Sequence, residues 1–100
     1  MKTENMKSPK GNAVPNQIII TEDGRGWNGN FIDKKTFQSY GKTIAEVITW
    51  PDSTYVTLDS HYWNYSATTS KYRSIFLGES TKETEKRIAS GEYTLEDLNK

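Results

Sequence analysis

Asp59, Ser60 and His61 set the three residue types of a nucleophilic triad side by side, and His61 is the chain's one histidine. A base–nucleophile pair would need that imidazole, and a metal site built from several histidines has too few candidates. Successive residues of a strand point to opposite faces, whereas working triads gather side chains from distant positions. No catalytic role is therefore expected for His61. Glu83 and Glu85, two apart on a helix, face different ways and do not form an acid–base pair. Glu46, Asp52 and Asp59 lie on different segments, with nothing in their spacing that obliges them to converge, so they read as solvated charge. The chain has no cysteine, which removes disulfides, zinc–thiolate sites and thiol chemistry. No metal and no cofactor are expected.

Two glycine patterns suggest phosphate binding and fail on context. Gly24, Gly26 and Gly29 spell G-x-G-x-x-G after an apolar strand, but Phe31-Ile32-Asp33-Lys34-Lys35 does not continue as a helix, and 100 residues are too few for paired dinucleotide-binding units. A Gly/Asn-rich turn with Trp27 docked on the core is the expected structure. Gly41-Lys42-Thr43 matches the end of a P-loop, yet Thr36 stands where the first glycine belongs and a strand follows, so Gly41 is read as a bulge or tight bend. Asn64-Tyr65-Ser66 has the form of a glycosylation acceptor. The opening residues carry no apolar leader segment, so no glycan is expected.

The richest stretch runs from Ser60 to Gly78. It holds Tyr62, Trp63, Tyr65, Tyr72 and Phe76, a run of hydroxyls, and two formal charges, Lys71 and Arg73. A helix starting near Ser66 would present free N–H groups beside Ser66, Thr68, Thr69, Ser70, Lys71 and Arg73, a combination suited to an anion. Tyr62, Trp63 and Tyr65 could stack on bases as in single-strand binders. The competing reading makes the same rings the seam between sheet and helix, with the hydroxyls as caps. That reading is favoured, because a chain poor in Leu and Val needs its aromatics inside. The binding residues to watch are Tyr62, Trp63, Tyr65, Ser66, Thr68, Lys71 and Arg73, and the polar ones among them matter only if exposed.

The elements that must position this stretch are legible by period. Residues 1–16 are polar, carry Pro9, Gly11 and Pro15, and predict a mobile tail, leaving 17–100 as one domain. Gln17 to Thr21, with three isoleucines in a row, predicts a strand that lies inside a sheet or is covered on both faces. Phe31-Ile32 and Thr36 to Tyr40 read as short strands about an Asp33-Lys34-Lys35 turn. Thr43 to Trp50 and Thr54 to Asp59 are strands joined by a turn at Pro51-Asp52-Ser53. Ser66 predicts an N-cap and Gly78 a helix stop. Ser80-Thr81-Lys82-Glu83 is a capping box opening a second helix from Thr81 to about Ser90, with Gly91 closing it. Thr94 to Leu98 predicts a final turn anchored by Leu95 and Leu98. The sum is an α+β domain, an antiparallel β-meander of three to five strands followed by two C-terminal helices packed on one face.

Thirteen basic and thirteen acidic residues cancel, so attraction to nucleic acid or to a membrane surface is not a property of the whole chain. The longest apolar run is Ile18-Ile19-Ile20, far short of a membrane span.

Tyr62-Trp63-Asn64-Tyr65-Ser66-Ala67-Thr68-Thr69-Ser70-Lys71-Tyr72, then Phe76-Leu77-Gly78 and a polar helix ending near Gly91-Glu92-Tyr93, resemble an uncharacterised family of short phage and prophage proteins of Gram-positive bacteria. Phe37-Gln38-Ser39-Tyr40 and Val56-Thr57-Leu58-Asp59 extend the likeness over roughly Phe31 to Asn99. The resemblance implies a phage setting in a bacterial cytoplasm and brings no catalytic residues. By analogy with small phage proteins of that setting, it implies a non-enzymatic protein that binds and inhibits a host protein, such as a CRISPR or other defence nuclease. The alternative is a single-stranded nucleic-acid or nucleotide-binding module using residues 61–73.

Overall fold

The computed structural model of the chain describes residues 1–23 and 33–100. The turn expected around Trp27 and the short strand expected at Phe31-Ile32 fall outside the described residues. Among the described residues six strands form one sheet: β1 (Lys2–Lys7), β2 (Ala13–Asp23), β3 (Asp33–Ser39), β4 (Lys42–Trp50), β5 (Ser53–Asp59) and β6 (Thr94–Glu96). Helices α1 (Ala67–Leu77) and α2 (Thr81–Ala89) fall between β5 and β6. The spatial order equals the chain order. β1 to β5 pair antiparallel, and β6 pairs parallel to β5. A parallel neighbour cannot be reached by a hairpin, and the two helices supply the crossover.

Phe37, Ala45 and Leu58 lie opposite one another on β3, β4 and β5, all fully buried. With Met6, Ile44 and Tyr72 they make the core. Phe76 of α1 stacks on Phe37 with ring centroids 5.6 Å apart. Ser39, two residues on and therefore on the same face, reaches α1 directly, its Oγ 3.0 Å from Thr69 Oγ1. The helices thus cover the Phe37 face, as the sequence implies. Of the three isoleucines, Ile19 packs against this core, while Ile18 and Ile20 point to the other face and are half-buried. On that other face Lys34 pairs with Glu46 at 3.2 Å.

Three expectations need correction. The polar opening is no loose tail but contains β1, so the domain starts near Lys2 rather than at 17. Its order comes from backbone pairing to the isoleucine-rich β2, from Met6 at 5% exposure, and from Asn5 Nδ2 donating to the Val14 carbonyl at 2.9 Å. Ladder hydrogen bonds are blind to side-chain hydropathy, which is why composition misses them. Asp33, Lys34 and Lys35 are the first residues of β3, not a turn. Thr94 to Glu96 form a strand, with Leu95 left 41% exposed rather than anchoring a turn. The meander's upper bound of five strands is met by β1 to β5, and the sixth strand joins by the crossover.

The helix ends follow from local chemistry. Ser66 caps α1, its Oγ accepting from Thr69 N at 3.1 Å, and Gly78 stops it at φ 71°. Ser80 and Glu83 form the reciprocal capping box of α2, both bonds at 3.1 Å. At the other end of the sheet, Ser39 and Lys42 are joined by Tyr40 at φ 52° and Gly41 at φ 80°. Two consecutive left-handed residues define the type I′ hairpin turn, whose twist suits the flanking strands. The tight bend expected at Gly41 is this turn, and it forces a tyrosine into a conformation that L side chains rarely adopt.

A candidate binding cleft walled by tyrosines

The tight β3–β4 turn lifts Tyr40 clear of the sheet, and the segment after β5 brings a second set of rings to meet it. Asp59 fixes that segment. Its carboxylate is fully buried and accepts three backbone N–H groups: His61 at 3.0 Å and Tyr62 at 2.7 Å on one oxygen, Leu98 at 2.8 Å on the other. Burial pushes its pKa up, but the amides outweigh burial and hold it below the ordinary aspartate value. Asp59 is therefore an internal cap that bends the chain out of β5. The contact to His61 is through its backbone N rather than its imidazole.

The bend sets Tyr62 edge-on to Tyr65, with centroids 5.4 Å apart, and places Lys42 Nζ 5.6 Å from the Tyr62 ring centre. Between these rings and the β3–β4 turn lies a cleft of about 280 Å³ lined by Ser39, Tyr40, Lys42, Ile44, Tyr62, Tyr65 and Thr69. Tyr40 is 61% exposed and Tyr65 71% exposed, so two phenol rings stand at the rim. Among the described residues Lys42 is the one formal charge in the lining and makes no ion pair. The floor is the Ser39–Thr69 hydroxyl pair that ties β3 to α1. Ser66 Oγ donates to Thr69 Oγ1 at 3.1 Å from the side.

The residues expected to bind are divided by this arrangement. Tyr62 and Tyr65 come together in the cleft. Trp63 is half-buried against the core, Ser66 is spent as the cap of α1, and Thr68 and Lys71 are exposed but outside the cleft lining. Lys71 instead stands 5.5 Å over the Tyr72 ring. Arg73 departs furthest from expectation, at 0% exposure. Its Nη1 donates to the Trp63 carbonyl at 2.7 Å and to Asn64 Oδ1 at 3.1 Å, and its Nη2 to Thr81 Oγ1 at 2.6 Å. The guanidinium also lies 5.1 Å from the Trp63 ring centre. Burial lowers its pKa, with Glu79 and Glu85 acting in the opposite direction. Arg73 joins the loop, α1 and the start of α2, and it is not available to an anion at the surface. The long donor-rich side chain let a helix residue reach three elements, an outcome that charge patterning cannot foresee.

Sequence reasoning missed Tyr40, Lys42 and the Ser39–Thr69 floor. The available signal was the aromatic immediately before Gly41 at a two-residue turn, which predicts a ring at a hairpin apex. A second polar cluster, away from the cleft, is structural. Glu79 accepts from Tyr93 Oη at 2.5 Å and from Thr84 Oγ1 at 2.6 Å and pairs with Arg87 Nε at 3.3 Å. Burial, and then Glu79, raise the Tyr93 pKa well above the usual phenol value. Among the described residues no group of three or more acids or histidines is placed to hold a metal ion, and no helix is long and apolar enough to cross a membrane.

A family model described as a family of unknown function (DUF8033) matches residues 1–92. No curated protein and no solved structure matches the chain.

Proposed function

The chain belongs to that family of unknown function, and we propose that it is a phage-encoded, non-enzymatic interaction protein that binds and inhibits a host protein, a bacterial defence component of the anti-CRISPR kind. The observation that carries the binding role is the tyrosine rim, with Tyr40 and Tyr65 exposed on either side of one cleft. Tyrosine gives a large, amphipathic contact area on only two side-chain torsions, and it is enriched among residues that dominate protein–protein binding energy. The phage setting, the cytoplasmic site of action and the defence target rest on the resemblance carried by Trp63, Tyr65, Ser66, Thr68, Thr69, Lys71 and Tyr72.

Single-stranded nucleic acid is the less favoured partner. Such binders track the backbone with a positively charged groove. With Arg73 internal and Lys71 outside the cleft, the cleft offers Lys42 alone.

The test is affinity capture from a nuclease-treated Gram-positive host lysate, followed by assay of the captured protein's own activity with and without the purified chain. A captured protein that is inhibited by the wild type, and at least tenfold less by Tyr65→Ala, supports the reading. Loss of all partners on nuclease treatment, or substrate turnover by the chain that His61→Ala abolishes, overturns it.

A further inference from the structure

The floor of the tyrosine cleft is short of acceptors, and a hydrogen count shows it. Three hydroxyls meet there: Ser66, Thr69 and Ser39. Ser66 spends its proton on Thr69 Oγ1, and the Ser39–Thr69 contact at 3.0 Å uses one proton from one of its two members. The other member keeps an O–H with no acceptor among the described residues. Whichever way the pair is oriented, that donor belongs to Ser39 or Thr69, and both line the cleft. Lys42 adds an ammonium at the same opening, and among the described residues it has no ion-pair partner and no carboxylate lines the cleft. Beside Ser39, directly across the β2–β3 ladder, the Gln17 side chain is fully buried, and neither its Nε2 nor its Oε1 has a partner. Buried polar groups are normally satisfied; Gln17 does not itself line the cleft, so the spare hydroxyl proton is the donor the cleft can offer.

From this we infer that the cleft takes a carboxylate side chain, a glutamate or aspartate presented by the protein partner, seated between Lys42 and the Ser39–Thr69 hydroxyls. The inference rests on the interaction-protein reading and adds the chemistry its partner must bring. Charge selects it: the cleft offers an ammonium and a hydroxyl donor and no competing acid. Size selects it too, since about 280 Å³ lies at the small end of ligand pockets and suits one side chain with its neighbour better than a nucleotide. The tyrosine rings receive the methylene stem of the acid and the residue beside it, and they exclude water from the charge pair, which strengthens it.

The experiment is an amide NMR titration of the full chain with N-acetyl-glutamate methylamide. N-acetyl-glutamine methylamide serves as the neutral control, and a nucleoside monophosphate is a third arm. Expected is saturable, millimolar binding of the glutamate probe that moves the Ser39, Tyr40, Lys42 and Thr69 amides, at least tenfold weaker for the glutamine probe. Lys42→Gln should weaken the glutamate probe tenfold or more and Lys42→Arg should largely restore it. Both variants keep the parent melting temperature, because Lys42 is exposed. Equal binding of the two amino-acid probes, an unchanged Lys42→Gln, or tighter binding of the nucleotide at these residues overturns the inference. Failure here and failure of the function are separable. A captured partner that is lost with Tyr65→Ala but kept with Lys42→Gln removes the carboxylate and leaves the interaction protein standing. A probe that binds as expected to a chain that inhibits no captured protein does the reverse.

Discussion

Replacing Asp59 by alanine tests the claim that this carboxylate is an internal cap. The side chain holds three backbone N–H groups at 2.7–3.0 Å from full burial. A hydrogen bond to a charged group contributes about 1.5–3 kcal/mol net. Three such bonds would be worth about 4.5–9 kcal/mol, but water can replace part of the loss at the His61 and Tyr62 amides, so the total should fall at or somewhat below the lower end, at about 3–5 kcal/mol. For a domain of this size that is a drop in melting temperature of about 15–30 °C. Asp59→Asn keeps one acceptor and should lose about 1.5–3 kcal/mol. The pH dependence has a definite sign. The folded pKa lies below the ordinary value of 3.8, so the stabilisation is complete above that value and disappears as the pH falls through the lower folded pKa. The stability gap between wild type and Asp59→Asn, read by urea titration, should be constant from pH 7 to about 5 and close below about pH 4. An alanine variant melting within 3 °C of the parent, or a gap that persists unchanged at pH 3, would refute the cap.

Four further outcomes follow from the same contacts. Arg73→Lys should cost about 2–4 kcal/mol by chemical denaturation, since one ammonium cannot serve Trp63, Asn64 and Thr81 as the planar fork does; a change under 1 kcal/mol would contradict the bridging role. Tyr40→Asn should stabilise the fold by about 0.5–1 kcal/mol, because asparagine tolerates a left-handed turn position, while weakening partner binding; a variant that binds as well as the parent would detach Tyr40 from the site. Ser80→Ala should cost about 1 kcal/mol, measured by thermal melts, through loss of the α2 cap. Deleting residues 1–8 should lower stability by at least about 2 kcal/mol, because Met6 leaves the core and β2 becomes an edge; a neutral deletion would restore the view of this segment as a loose tail.

The parts of the fold governed by local rules could be read directly. Ser66, Gly78 and the Ser80–Glu83 box each satisfy backbone groups within their own helix turn, and the β-branched runs at Ile18–Ile20 and Thr43–Trp50 have one good local answer. The parts that could not be read are those decided by distant pairing. β1 and β6 are polar strands whose order comes from a neighbour's backbone, and nothing in Lys2–Lys7 or Thr94–Glu96 announces that neighbour. The site divides the same way. Tyr62 and Tyr65 were visible as an aromatic cluster, but Tyr40, Ser39 and Lys42 joined them only because a hairpin turn and a helix cap meet in space. Arg73 counted among the polar binding candidates only on condition that it was exposed. It went inside because four neutral oxygen acceptors, from Trp63, Asn64, Ser74 and Thr81, were waiting for its donors.

The way the chain closes its sheet also dictates the order in which it can be made. β1 to β5 each pair with their neighbours in sequence, so they can zip up one hairpin after another as they emerge during synthesis. The Asp59 cap does not share that freedom. Its third donor is Leu98, and Asn99 grips both the N–H and the carbonyl of Thr43 from 56 residues away. The nascent meander must therefore wait, for several seconds at ordinary elongation rates, with one face bare until both helices and β6 arrive to latch it.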